Sequence, residues 1–223
     1  KRINTAGDDP AGLAIATRFK NQVNGMLQAR MNADAGLSMV QTAEGGVLQI
    51  TSVLQRLNSL AIQASNGTLT SSDRLLIQNE VSQLVAEVDR LASVTTFNNI
   101  QLLNGSTVVG TASVAIQVNA DANSSIGINF TTMTTTSLGI NNLSMTTQTL
   151  AENAVSTIQS ALYKVTTLQS KIGALQNRLQ FSADFLDIQR VSMTSALSVI
   201  EDTDFATELT NFTQKSMLVQ SST

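Results

Sequence analysis

Two tight acidic groups, Asp8-Asp9 and Glu201-Asp202-Thr203-Asp204, come nearest to a chemical constellation in this sequence. Paired carboxylates can serve as the acid and base of glycoside hydrolysis, and closely spaced ones can ligate calcium. The context of each group favours a plainer reading. Asp9 stands directly before Pro10, where a starting helix needs acceptors for its free N–H groups and attracts negative charge. The second group lacks the glycine turn and the spaced ligands of a calcium loop. The chain has no histidine and no cysteine, which removes the commonest general base, the thiolate nucleophile and the usual ligands of zinc, copper and haem. No catalytic residue, metal or cofactor is therefore expected, and the sequence reads as non-enzymatic. Disulfides are excluded, so cysteine usage leaves the redox compartment open.

Charge and hydropathy narrow the partners. Lys and Arg number 13 against 16 acids, for a net charge of −3, and they are dispersed. Binding to a phosphate backbone calls for a clustered basic face, so nucleic acid is not expected. No apolar run reaches the ~18 residues that a membrane span requires, and no cleavable signal-peptide pattern opens the chain. Of the residues 42% are apolar but only 4% aromatic, so the core must be built from aliphatic layers. With Pro10 the single proline and the 12 glycines scattered, domain boundaries have to be read from periodicity.

The elements that position these residues announce themselves by a period of seven. Steps from Phe19 fall on Met26, Ala33, Val40, Val47, Leu54 and Ala61, and steps from Ala29 on Gly36, Ala43, Ile50, Leu57 and Ala64. This is a sustained a/d heptad. Asp9 as N-cap with Pro10 at N1 marks its start, and Asn66-Gly67 its stop. At 1.5 Å per residue the helix would be roughly 85 Å long. Gly25, Gly36, Gly45 and Gly46 each cost it ~1 kcal/mol relative to Ala, unless close packing demands them.

A second helix is expected after the loop Thr68 to Ser72, capped by Ser72 or Asp73 and ending near Val94. Its apolar residues Ile77, Val81, Leu84, Val88 and Leu91 keep 4-3 spacing. In the last third, eight successive heptad steps are apolar: Ala151, Ile158, Val165, Ile172, Leu179, Leu186, Met193 and Ile200. At an apolar fraction of 42%, such a run arises by chance in one register roughly once in a thousand, so the period is real. Thr149 and Glu152 offer a capping box for its start.

Between the helices the period drops to two, in Val114 to Val118 and in Ile126 to Phe130, joined by Asn119 to Asn123. That pattern predicts a β-hairpin. Thr131 to Ser137 reads as a solvated loop or edge strand, with surface glycosylation as the alternative, and the sequon Asn104-Gly-Ser106 carries little weight in so Asn-rich a chain. The expected fold is mainly α: a long antiparallel coiled-coil-like bundle of three helices with a small β-hairpin region. Residues 1–104 would supply two helices of a rod domain, 105–148 the hairpin and Thr-rich loop, and 149–223 the C-terminal part of the rod. Heptads alone would equally suit a spacer or an adhesin stalk.

The opening Arg2-Ile-Asn-Thr-Ala-Gly-Asp-Asp-Pro-Ala-Gly-Leu-Ala-Ile-Ala16 resembles the N-terminal signature of bacterial flagellins, continued by Asn32 to Gly36 and Gln41 to Gly45. Leu54 to Leu60 with Gln63, Glu87 to Arg90 leading to Thr96-Phe-Asn-Asn99, Ile172 to Leu179, and Asp202 to Glu208 are similar to the same family, in family order. The resemblance implies paired terminal helices around a hairpin region. It also implies a self-assembling subunit of the extracellular flagellar filament, with other flagellin subunits as partners. Large outer domains look absent between Gly105 and Leu150. The chain begins inside the family signature and stops after Lys215 to Val219, so the channel-lining terminal segments are expected to be missing and the fragment to remain monomeric.

In many flagellins the segment matching Leu54 to Gln63 is also recognised by a vertebrate Toll-like receptor, through a pattern resembling Gln-Arg-x-Arg-Glu-Leu. Here Gln55, Arg56 and Leu60 match, whereas Asn58 and Ser59 replace Arg and Glu, which would weaken recognition. Glu87 on the neighbouring helix is a further candidate. The same residues could instead form a subunit-contact or solvated face. A flagellin-like hook-filament junction protein and a cell-surface adhesin or polysaccharide-binding protein remain as alternatives, though Tyr163 with seven Phe offers little aromatic platform.

Overall fold

The structure, a computed structural model, describes residues 1–105, 114–120 and 124–222. In chain order its elements are α1 (Pro10–Ala64), α2 (Ser71–Val94), β1 (Thr96–Phe97), β2 (Ile100–Gln101), β3 (Val114–Gln117), β4 (Ser125–Ile128), α3 (Thr135–Leu138), α4 (Gln148–Glu201) and α5 (Phe205–Ser221). The fold is mainly α, as the heptads require.

Caps decide where each helix starts. Asp9 Oδ1 accepts from the Gly12 N–H at 2.9 Å, and its carbonyl accepts from Leu13 at 3.0 Å, so Pro10 occupies the position where a missing N–H costs nothing. α2 begins earlier than predicted. Its N-cap is Thr70, whose Oγ1 accepts from the Asp73 N–H at 3.3 Å while Asp73 Oδ2 accepts from the Thr70 N–H at 2.9 Å. Asp73 is thus the third helical residue of a reciprocal capping box, not the cap itself. A similar shift occurs at α4, where Thr147 rather than Thr149 takes an N-terminal donor, the Leu150 N–H at 3.3 Å. Glu152, the expected partner of Thr149, accepts from the Gln148 side chain instead.

The C-terminal part carries a further long helix beyond the three expected. α4 ends at Glu201, and Asp204 caps a separate α5 by accepting from Ala206 and Thr207. The seven-step stripes are the buried seams. In α1 every member from Met26 to Ala64 is buried and Phe19 is half-buried; in α4 Ala151 to Leu186 are buried, with Met193 and Ile200 half-buried. In α2, Val81 and Val88 are buried, with Ile77, Leu84 and Leu91 half-buried.

The described chain falls into two compact units interleaved in sequence. One comprises residues 32–117 and 125–182. Within it α1 and α4 run antiparallel, with Gln169 donating to Thr51 Oγ1 at 3.3 Å and Gln176 to Glu44 Oε2 at 2.6 Å. α2 folds back on α1, since Arg74 reaches the end of α1 while Thr95 lies against Gly46. A Cβ on Gly46 would stand 2.5 Å from Thr95 Oγ1, so glycine is what allows this approach.

The short strands brace this unit. β1 and β2 pair antiparallel through Asn98 and Asn99, whose φ values of 47° and 65° are the left-handed pair of a tight hairpin turn. β3 and β4 form the predicted hairpin, with Val114 opposite Ile128 and Ile116 opposite Ile126. Part of its connecting segment, 121–123, lies outside the described residues, as does Ser106 of the sequon. The Thr-rich tract is not wholly loop. Thr134 caps α3, and Asp89 of α2 accepts both the Thr135 N–H at 2.8 Å and its hydroxyl at 2.7 Å. Gln78 holds the following segment by donating to the Leu143 carbonyl and accepting from the Met145 N–H at 2.6 Å.

The other unit comprises residues 1–31, 118–124 and 183–223 as far as they are described. Its buried apolar residues include Ile3, Ala16 and Ala183 besides a cluster of Met26, Ala29 and Leu186, with Met193 packed against that cluster. Arg30 pairs with Asp187 at 3.0 Å.

Candidate interaction surface

The acidic groups are held in local hydrogen bonds and ion pairs. Asp8 Oδ2 accepts from the backbone of Thr5 at 2.7 Å and of Asn4 at 3.0 Å, and these bonds hold its carboxyl below the usual range. Glu201 is enclosed by Lys1 and Lys20, whose Nζ atoms stand 2.6 and 2.7 Å from the same Oε1. Hydrogen bonds from both ammonium groups lower its pKa, Lys1 first. The Glu201 carbonyl accepts from the Arg2 N–H, and the Arg2 guanidinium donates to the carbonyl of Ile200. Asp202 accepts from Ser198, and Asp204 is held low by the Thr207 hydroxyl and the backbone of Thr207 and Ala206. Among the described residues no group of three His, Cys, Asp or Glu could hold a metal ion. No described helix is long and apolar enough to cross a membrane. A shallow cleft of about 140 Å³ beside Asn142, Leu143 and Asn153 has no acid or base in its lining.

The four residues singled out in the sequence are not brought together as one patch. Gln55 and Arg56 are exposed neighbours on α1, whereas Leu60 is 2% exposed and belongs to the core. Spacing by four puts Arg56 and Leu60 in adjacent turns, but only Leu60 falls on the buried side: Leu57, Leu60 and Ala61 belong to the core and Arg56 is exposed. Arg56 pairs with Glu80 of α2 at 2.7 Å, not with Glu87. Glu87 is bound by Arg90 on its own helix at 2.6 Å, a pair that lowers the Glu87 pKa. Asn58 is half-buried, and its Oδ1 is closed from solvent without a hydrogen-bond partner among the described residues. Ser59 is exposed and donates to the Gln55 carbonyl.

Sequence reasoning missed the apolar surface of α5. No residue of this helix is buried, although Phe205, Leu209, Phe212 and Val219 fall on one 4-3 stripe interrupted only by Ser216. Phe205 is 78% and Phe212 67% exposed. Phe185, Ile188 and Val199 of α4 are exposed as well. The signal that could have found it is Asp204, an N-cap residue with Glu208 in the turn that follows, which marks a helix start after the heptad run that ends at Ile200.

Paired heptad helices, hydrogen-bonded carboxylates and an exposed apolar helix define a mainly α protein of the long-helix, heptad-packed class. The comparisons with known proteins agree. Residues 1–108 match the model of the bacterial flagellin N-terminal helical region, and residues 155–223 match that of the C-terminal helical region. The flagellar filament 31.3 kDa core protein of Treponema maltophilum is 37% identical over the whole of this chain and 82% of its own length. The crystal structure of Bacillus cereus flagellin covers 75% of this chain and 94% of that one with a TM-score of 0.62 and 25% identity. A putative flagellar hook-associated protein from Vibrio parahaemolyticus superposes over 87% of this chain and 99% of its own with a TM-score of 0.72, but at 12% identity it shares the fold alone. The chain belongs to the bacterial flagellin family.

Proposed function

We propose that this protein is a structural subunit of the bacterial flagellar filament, exported to the cell exterior, where it polymerises with copies of itself and catalyses nothing. The observation that carries this reading is α5, whose apolar stripe of Phe205, Leu209, Phe212 and Val219 is not covered by any of the described residues. A seam of 4-3 spacing is the kind that another helix fills, and exposed apolar surface of this extent marks a contact site. Filaments sheared from the source cells and identified by mass spectrometry provide the test. This chain should be a bulk component along the filament; recovery only at the hook junction, or in the cell-wall fraction, would support the junction or adhesin alternative instead.

We further propose that Gln55 and Arg56 on α1, and Glu87 as a separate contact on α2, serve neighbouring subunits and, weakly, the flagellin-sensing Toll-like receptor. Asn58 and Ser59 withhold the two charges of the family pattern, and interface energy concentrates in a few anchors, Arg among them. A dose-response assay in receptor-expressing cells should show low potency that rises in the double variant Asn58→Arg with Ser59→Glu. Full potency in the unmodified chain would sink this proposal.

A further inference from the structure

We infer that Asn66 is a site of spontaneous deamidation, selected by the fold from three Asn-Gly pairs in the sequence: Asn24-Gly25, Asn66-Gly67 and Asn104-Gly105. The reaction needs an asparagine side chain that can reach the backbone nitrogen of the next residue, and a next residue too small to obstruct it. In the first step hydroxide takes the Gly67 amide proton and the nitrogen attacks Cγ of Asn66. The Cγ–Nδ2 bond then breaks, ammonia leaves with a proton from water, and a five-membered succinimide closes. Water opens the ring at either carbonyl, giving aspartate by one route and isoaspartate by the other.

The three pairs stand in different environments. Asn24 and Gly25 lie inside α1, where helical geometry fixes the backbone and occupies its N–H groups. Asn104 is half-buried, its Nδ2 donates to Gln101 Oε1, and Gly105 is set at φ 78°. Asn66 and Gly67, by contrast, are exposed in the connection between α1 and α2. Asn66 Oδ1 accepts from the Thr68 N–H at 3.2 Å, an arrangement that curls the side-chain carbonyl over the Asn66–Gly67 peptide. The Asn66 carbonyl is meanwhile held by the Leu69 N–H at 3.3 Å and by Arg74 Nη2 at 2.9 Å, while the Gly67 N–H has no hydrogen-bond partner among the described residues. The Gly67 nitrogen is thus unengaged among the described residues, and the Asn66 side chain is folded forward along the chain toward Thr68.

Conversion would alter the joint. Isoaspartate inserts a methylene into the main chain at residue 66, displacing the carbonyl that Arg74 holds. The experiment ages the purified full chain in mildly alkaline buffer and maps it by acidic proteolysis and electron-transfer fragmentation, which separates aspartate from isoaspartate. Residue 66 should convert first, to both products, and severalfold faster than residue 24 or 104. Gly67→Ala should slow conversion severalfold without altering the melting of fresh protein, because a Cβ there meets only the Gln148 side chain at 3.8 Å and needs no left-handed backbone. Earlier conversion at residue 24 or 104, or an Asn66 that stays intact, overturns the inference, as does an equal rate in a folded Gly67→Ala variant. The order of the three sites in the unmodified chain decides the matter even if the variant fails to fold.

Discussion

Arg74 is 7% exposed and forms no carboxylate salt bridge among the described residues, yet its guanidinium is satisfied: Nε donates to the Ala64 carbonyl at 2.8 Å, Nη1 to Leu69 at 2.8 Å and Nη2 to Asn66 at 2.9 Å. The last turn of α1 leaves carbonyls without helical partners, and a planar cation there closes them and opposes the dipole. Hydrogen bonds to a charged group contribute about 1.5–3 kcal/mol each in favourable cases, so Arg74→Met should cost about 2–4 kcal/mol in denaturant unfolding. Arg74→Lys should recover little, since one ammonium cannot span the fork. Loss below about 0.5 kcal/mol in Arg74→Met would contradict this role. Nothing in the sequence marks Arg74, because a cation in a first turn reads as solvated until the fold brings three carbonyls to it. The carboxylates carry a second prediction. Asp8, Asp73, Glu201 and Asp204 all have lowered pKa values, so they bind fewer protons folded than unfolded. Their stabilisation is present above the ordinary values of 3.8 for Asp and 4.5 for Glu, and it is lost as pH falls through the depressed ones. With no histidine, melting temperature should be flat between about pH 5 and 8 and fall below about pH 4. Glu201→Gln should make the acid limb shallower; a steep slope near neutrality would refute the assignment.

Glycine tests how well an element can be read from its period. Gly45 and Gly46 are adjacent in α1 and identical to any propensity scale, each costing about 1 kcal/mol against Ala. The fold separates them. A Cβ on Gly45 meets nothing within 4 Å, whereas one on Gly46 would collide with Thr95 Oγ1 at 2.5 Å and Cγ2 at 2.8 Å. Gly45→Ala should therefore stabilise the protein by up to about 1 kcal/mol, and Gly46→Ala should destabilise it by about 1–3 kcal/mol. Thermal or denaturant melts of the two single variants are the check, and shifts of the same sign would mean that α1 does not approach Thr95 as described. At this scale the heptads were legible because burial imposes a period, and every buried member of the two α1 stripes was predicted from spacing alone. Helix starts were less legible. Threonine, serine and aspartate all cap well, and at Thr70 and Thr147 the choice among neighbouring candidates was settled by which hydroxyl the chain could aim at a free N–H. The β1–β2 hairpin went unread for a similar reason, since Asn98-Asn99 lacks the glycine that usually announces such a turn.

For the molecule as a whole, sequence order misleads about cooperativity. Consecutive residues of α1 belong to different compact units on either side of Met31 and Asn32, and those of α4 on either side of Ser182 and Ala183. Period cannot reveal this, because the seven-step stripes run without interruption through both boundaries. What differs is the amount of core that each unit owns. The unit with α2 and the hairpins buries the large side chains Ile50, Leu54, Leu57, Leu102, Leu103, Ile128 and Ile158, whereas the other has a small cluster of Met26, Ala29 and Leu186. Local opening costs least where few apolar contacts must be broken. Amide hydrogen exchange on the full chain should accordingly rank three tiers. α5, with no buried residue, should exchange fastest. Residues 11–31 of α1 and 184–201 of α4 should be intermediate, and residues 40–64 of α1 with 154–179 of α4 slowest. Within single helices that ranking requires a gradient, so α1 should show strong protection at Ile50 and Leu54 and weaker protection before Met31. Uniform protection along α1 and α4 would show that the two units open as one, and the thinner core would then have no consequence for stability.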